Sequence, residues 1–505
     1  MSAPSPHQPS STRTAVLLAV VAAVAAALGA QVLGRADAGL TARQVTVGGV
    51  PMTEVRADPP MSDVRRPGVV IAHGFAGSAR LMRPIADTVA RRGAVALLFD
   101  FAGHGANPAR LAGDTSNDTL AADLDHAVGY LRSLPDVDPA QIMLVGHSMG
   151  AGAVTRYAAG HAEIARTVAI SLPDAGELPP GRPAELLLIV GGAEFPGFRH
   201  AADDAVGRGA AVGRRPAVVV PGVEHISVLF APRTHEEIAD WLPSVDGDAA
   251  PPPLVRLAGA ALLLLAFGVG VVPLAALLLT RRSNGGRSTD RVPIGGLALL
   301  GLAVVAAGLG AAVAAVLPTT RLPLAVGGYV TGFLLVTGVL VLAGHRWLPG
   351  ATSPPVPAVG ETSPPAPART IVAAVALTGY AVLAVALPIH LGLTSALPVG
   401  ARWWLLPLVL AACLVFLLGV ESVAAGRTGR HLLVVAVTVL VLTASALVGL
   451  APGFVLLVVP LFAFLLGWHV VWAAVLRRYA APRWLLAVPG AVLVGWPIAT
   501  TLPLS

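Results

Sequence analysis

The chain has 505 residues, is 55% hydrophobic and only 12% charged, and its formal net charge of +6 comes from arginine alone, because it contains no lysine. Ordinary soluble domains are about a quarter charged, so much of this chain is suited to a bilayer. No basic patch interleaves with aromatic residues, which argues against a nucleic-acid interface. The single cysteine, Cys413 in an apolar run, excludes an internal disulfide and any cysteine-based zinc site.

Charge is unevenly distributed: most Asp and Glu lie before residue 250, and only Asp290, Glu361 and Glu421 follow it. In chain order, a short polar N-terminus (1–13) precedes an apolar run, 14–34, whose length fits the hydrocarbon core of a bilayer. A retained anchor is preferred to a cleaved signal peptide, whose apolar core is shorter, although ADA at Ala36 to Ala38 leaves cleavage open.

Residues 41–245 read as a separate domain. GVVIAHG, AVALLFD, QIMLVGH, TVAISLP, ELLLIVGG and AVVVPG are short runs, apolar throughout, as in parallel strands covered on both faces. The intervening LMRPIADTVARRG, DTLAADLDHAVGYLRSL and THEEIADWL have the spacing of amphipathic helices. That alternation predicts a doubly wound, mostly parallel sheet.

Several turns of this domain carry chemistry. GHSMG (Gly146 to Gly150) matches the nucleophile elbow, in which a sharp strand-to-helix turn lifts a serine hydroxyl above the sheet. QIMLV before it and MGAGAVTRYAAG after it supply the strand and the small-residue helix, so Ser148 is the expected nucleophile. A serine hydroxyl needs a base, and the base needs an orienting carboxylate. His225, in a loop after the last strand-like run, is the expected base; His235, on the polar face of the last amphipathic segment, is expected to be solvated. Glu194 leaves the end of the preceding strand and is the favoured acid, with Asp174 as the alternative and Asp203 and Asp204 further on in a helix. Amides of Met149 and of Phe75, in HGFAGS (His73 to Ser78), are the expected oxyanion donors. His73 is read as fixing that loop, and His104 in DFAGHG as structural.

HGFAGS, DFAGHG, GHSMG, GGAEFPG and GVEH together resemble the α/β-hydrolase superfamily, in its serine aminopeptidase, monoacylglycerol-lipase and dienelactone-hydrolase-like branch. The resemblance covers residues 41–245. It implies an α/β-hydrolase fold and a serine hydrolase of esters, thioesters or peptide-like amides, without cofactor or metal. Two departures stand out: Glu rather than Asp as acid, and only SLPDAGELPPGRPA where relatives insert a cap, which predicts little or no cap and an open site.

A linker, 246–253, leads to a membrane domain, 254–503. Its apolar segments fall at 254–280, 293–317, 322–343, 370–389, 403–420, 431–450, 453–476 and 484–502, eight further helical spans. Residues 349–369 form a Pro-rich loop read as extended and cytoplasmic. Arg281, Arg282, Arg287, Arg291, Arg346, Arg369, Arg427, Arg430, Arg477, Arg478 and Arg483 fall in alternate loops, against Arg256, Arg321 and Arg402 on the other side. The positive-inside rule then makes the arginine-rich loops cytoplasmic and 41–245 extracytoplasmic, in a multi-pass protein of the cell membrane.

Within the spans ionisable residues are scarce: Glu421 and His390 lie near boundaries, and His469 is read as an interhelical hydrogen-bond partner. The leading function is a membrane-anchored hydrolase acting on an acyl lipid, ester or peptide. The alternatives are a cell-envelope acyltransferase and a non-catalytic transport or assembly protein; the sequence identifies no protein partner.

Overall fold

Why the chain forms a sheet is visible strand by strand. Before it comes α1 (Pro9–Asp37). Then β1 (Leu40–Val47) and β2 (Val50–Ala57) pair antiparallel around Gly48 and Gly49, whose φ values of 58° and 84° suit a tight hairpin turn. Their partly polar composition, with β1 largely exposed, hid them from a search for fully apolar runs. The chain continues through β3 (Arg66–Ala72), α2 (Arg83–Arg91), β4 (Val95–Phe99), α3 (Ser116–Ser133), β5 (Val137–His147) and α4 (Met149–Gly160). It ends with β6 (Arg166–Ile170), β7 (Leu186–Gly191), α5 (Pro196–Gly209), β8 (Ala217–Val220) and α6 (Pro232–Trp241).

The computed structural model describes residues 9–58, 65–111, 113, 116–209, 213–242, 252–280, 295–347, 367–479 and 481–505. Residues 1–8, most of the expected linker, the Pro-rich stretch up to 366 and Arg281, Arg282, Arg287 and Arg291 lie outside the described residues. The chain divides into two units: one holds 29–261, 389–400 and 503–505, the other 1–28, 262–388 and 401–502.

In the first unit the eight strands run in the order β1-β2-β4-β3-β5-β6-β7-β8. β2 pairs antiparallel with β4, and every pair from β4 onward is parallel. Side chains alternate across the central strands. Val69, Ile71, Met143 and Val145 pack with Ile85 and Val89 of α2 and Ile238 of α6, whereas Val70, Ala72, Ile142 and Leu144 meet Leu124 of α3 and Val154 of α4. That is the α/β-hydrolase fold, helices on both faces of a mostly parallel sheet. β8 departs from the two-sided burial read in the sequence, because it is the edge strand and Val219 is exposed. An ion-pair network also joins helix ends: Arg256 bonds Asp37 at 2.7 Å and Asp87 at 2.7 Å, and Arg83 bonds Asp87 at 2.7 Å.

The second unit is all-helical: α7 (Val255–Leu278), α8 (Gly296–Ala314), α9 (Gly327–Trp347), α10 (Pro367–Gly392), α11 (Arg402–Ala424), α12 (Thr428–Leu447), α13 (Val455–Leu476) and α14 (Arg483–Thr501), some beginning or ending in the first unit. With α1, nine helices among the described residues are long and apolar enough to cross a membrane. Small residues let them approach closely: a Cβ on Gly419 of α11 would lie 3.0 Å from the carbonyl oxygen of Gly338 in α9.

Candidate active site

Ser148 stands between β5 and α4 with φ 54° and ψ −118°, a conformation rare for any residue but glycine. Its amide donates to Ile170 O at 2.9 Å and its carbonyl accepts the Gly152 amide at 3.0 Å, so both flanking peptides are tied down. A Cβ at Gly146 would strike the backbone of Gly150 and Ala151, and one at Gly150 the carbonyls of Ala72 and His73. The turn is therefore affordable only with glycine at both places.

His225 sits in the loop after β8. Its Nε2 lies 3.0 Å from Ser148 Oγ, and its Nδ1 faces Glu194 Oε2 at 3.4 Å. Three supports hold the ring. His147 Nε2 donates to the His225 carbonyl at 2.8 Å, the Phe198 ring lies over the imidazole at 4.5 Å between centroids, and Glu224 accepts the amides of Ile226 and Ser227 at 3.0 and 2.7 Å. Burial, then the neighbouring His225, hold His147 down to about 3, so it stays neutral and keeps a fixed tautomer. Its role was not read from the sequence, where it occupies the variable position of GHSMG.

Glu194 is seated by folding back on its own strand. Its Oε1 accepts the Gly191 amide at 2.9 Å and the Ser171 hydroxyl at 2.6 Å, leaving Oε2 toward His225. A Cβ at Gly191 would lie 2.6 Å from the Val223 carbonyl oxygen and 3.1 Å from the Glu194 side chain, so glycine there lets both come close. Ser171, with φ 54° at the end of β6, was missed; the available signal was a lone hydroxyl closing an apolar run.

On the opposite side, the loop that begins at His73 approaches Ser148: a Cβ on Gly74 would lie 3.0 Å from Ser148 Cβ and 2.8 Å from His147 Nδ1. Phe75 is the next residue. Met149 is the first residue of α4, where helix geometry supplies no intrahelical acceptor for its amide. His73 donates from Nδ1 to Gly74 O at 2.8 Å and accepts the Phe101 amide at Nε2 at 3.1 Å, and burial lowers its pKa. It is a loop fastener. Asp100 binds the amides of Ala79 and Ala106 at 2.7 and 2.8 Å, and buried His104 donates to Ala102 O at 2.9 Å.

Other sequence candidates lie elsewhere. Asp174 is exposed and caps a turn through the Gly176 amide at 3.0 Å, and Asp203 and Asp204 are exposed on α5. Two expectations need correction. His235 is not solvated: it is buried between Thr88 Oγ1 at 2.7 Å and Leu229 O at 2.9 Å, because the face of α6 that carries it turns onto α2. Nor is the site open at Ser148 and His225. Ser148 is 9% and His225 3% exposed, since Phe198 of α5 covers the imidazole even though no cap helix separates β6 from β7.

In the helical unit Glu421, His431, His469 and Arg477 come together, a cluster the sequence did not reveal. Arg477 Nη2 lies 2.8 Å from both Glu421 oxygens and 2.6 Å from His431 Nδ1, and His469 Nε2 donates to Leu486 O of α14 at 3.2 Å. Glu421, His431 and His469 present a carboxylate and two ring nitrogens within 4.8 Å. The guanidinium already neutralises that carboxylate, so the group reads as an ion-paired tie between helix ends rather than a cation cage.

Residues 64–208 match the family described as serine aminopeptidase, S33. An uncharacterised protein of Mycobacterium tuberculosis is 39% identical over 85 residues, 17% of this chain and 29% of that protein. A thermostable monoacylglycerol lipase of a Bacillus species is 33% identical over 94 residues, 19% of this chain and 35% of the lipase. The chain thus spans about a third of the length of these relatives. Among solved structures, dienelactone hydrolase from Anabaena variabilis is 23% identical, with a TM-score of 0.32 over 40% of this chain and 93% of that one.

Proposed function

We propose that the first unit is a serine hydrolase that cleaves an ester, thioester or peptide-like acyl bond through an acyl-enzyme. The observation that carries this reading is the line Ser148 Oγ, His225, Glu194, with contacts of 3.0 and 3.4 Å. Ser148 Oγ attacks the acyl carbon while His225 Nε2 takes its proton. Glu194 holds Nδ1–H toward itself and stabilises the imidazolium. The carbonyl π electrons move to oxygen, where the amides of Met149 and Phe75 donate. Collapse of the tetrahedral adduct breaks the bond to the leaving group, which departs with the proton from His225. Water then adds to the acyl-enzyme with His225 as base, and the second collapse releases the acid and restores the Ser148 hydroxyl.

Charge and connectivity support the orientation. Residues 29–37 at the end of α1, 255–261 at the start of α7, 389–400 from the last turn of α10 onward and 503–505 after α14 all belong to the hydrolase unit. Nine crossings put these four segments on one side, and the arginine-rich loops favour the cytoplasm for the other. The unit is therefore extracytoplasmic, in a multi-pass protein of the cell membrane.

Fluorophosphonate labelling of membranes containing the full chain tests the chemistry. Labelling of the wild type that disappears in Ser148→Ala is expected; an unlabelled wild type, or undiminished labelling of Ser148→Ala, overturns it. An accessibility tag beside Asp246 tests the orientation, with cytoplasmic exposure the contrary result.

A further inference from the structure

We propose that Thr394 and Ser395, on the segment joining α10 to α11, are positioning residues for the oxyanion loop and act through Ser78. This rests on the serine hydrolase reading and assigns a task to a segment far outside the catalytic domain of the sequence.

Three anchors hold the loop from His73 to Ala79. The first is His73 itself, bonded to Gly74 O and to the Phe101 amide. Asp100, bonded to the Ala79 amide at 2.7 Å, is the second. Both belong to the turns of the central strands. The third comes from 316 positions away: Ser78 Oγ lies 2.9 Å from Thr394 Oγ1 and accepts the Ser395 amide at 3.0 Å. Ser78, Thr394 and Ser395 are 1%, 7% and 5% exposed, so water is poorly placed to replace any partner that is lost. Arg80 Nη1 donates to His390 O at 3.2 Å, and Leu393 packs against the core that includes Ala79, Leu81 and Met82, which seats the segment along the whole turn.

The loop needs an outside brace for reasons in its own backbone. Ala76 has φ 58°, and Gly77 closes a short turn by donating to Gly74 O at 2.9 Å. That leaves the Gly74 and Phe75 peptides beside Ser148 on a strained turn with little regular structure to orient them. Oxyanion stabilisation depends on amide direction to within a fraction of an ångström. A hydroxyl pair pinning the end of the turn fixes that direction. The segment between α10 and α11, which belongs to the same unit as the loop, therefore contributes to catalytic geometry.

The test uses the full chain in nanodiscs, with p-nitrophenyl butyrate hydrolysis and the rate of fluorophosphonate labelling as readouts. Thr394→Val should lower kcat roughly 10-fold with KM little changed, short of the ~100-fold cost of losing an oxyanion donor outright. Thr394→Ser should restore the rate, and Leu397→Ser, an exposed position on the same segment, should leave it unchanged. Thr394→Ala serves as a second hydroxyl-free variant should the valine misfold. Wild-type kcat in both hydroxyl-free variants, or equal impairment in Thr394→Ser, overturns the proposal. A wild type that neither hydrolyses nor labels is a distinct result, in which the hydrolase reading falls and this one falls with it.

Discussion

The imidazole of His225 faces the Ser148 hydroxyl at 3.0 Å across 77 positions of chain, while the backbone carbonyl of His225 is held by His147, the residue immediately before that serine. The Ser148 turn and the His225 loop are thus joined twice, once by the hydroxyl and the facing imidazole and once by a neutral buried imidazole. The second bond fixes where the first can form.

The acid should tolerate little change. In Glu194→Gln the ring loses the partner that selects its Nδ1–H tautomer, and kcat should fall on the order of 10³–10⁴-fold. Glu194→Asp shortens a side chain already 3.4 Å from Nδ1 and should also fall well below wild type. Steady-state kinetics on a chromogenic ester checks both; near-normal turnover in Glu194→Gln would place the acid elsewhere.

Ser171→Ala removes the 2.6 Å hydrogen bond to Glu194 Oε1 and leaves only the Gly191 amide to hold that oxygen. A bond to a charged group contributes ~1.5–3 kcal/mol, so kcat should drop at least about 10-fold with KM little changed. An unchanged kcat would mean the Gly191 amide alone suffices.

Gly150→Ala places a methyl against the carbonyls of Ala72 and His73. Backbone cannot yield as a flexible side chain would, so stability should fall by about 1–3 kcal/mol and the serine should be misplaced. Thermal unfolding and labelling rate should fall together; a stable, fully labelled variant would contradict the stated packing.

His147 predicts a pH dependence of stability. Its folded pKa, about 3, lies below the ordinary value of 6.5. Between those two pH values the unfolded chain binds a proton that the folded chain does not, so stability falls as pH drops below about 6.5, by up to ~1.4 kcal/mol per unit. Burial lowers His73 and His235 in the same sense. Above about pH 7 this contribution is flat. Thermal unfolding of the full chain from pH 5 to 8 should show the decline on the acid side, and His147→Gln should make it shallower.

In the helical unit, Glu421→Gln leaves the Arg477 guanidinium without its anion. Breaking one partner of a buried pair costs about 3–5 kcal/mol, which a melting curve in detergent would register, and Glu421→Gln combined with Arg477→Met should recover part of the loss.

Much of this was legible because the signals are local. An apolar run of strand or membrane length announces itself in a short window, so β3 to β7 and the nine apolar helices stand out in the sequence. The β1–β2 hairpin did not, since both strands interleave polar residues and lack a continuous apolar run. His235 was misread because helical periodicity shows which residues share a face but not which neighbour covers it.

What the amino-acid order settled by itself is the division of the chain into apolar spans and an alternating α/β region, together with the glycine pattern around Ser148, because burial and backbone freedom are properties of adjacent residues. Tertiary structure alone decided that Ser171 and Gly191 seat Glu194, that His147 clasps the loop of His225, and that Thr394 reaches Ser78. Those contacts are hydrogen bonds between single polar atoms distant in sequence. They exist only once packing has brought strand ends and loops together, and no local pattern encodes which atoms will meet.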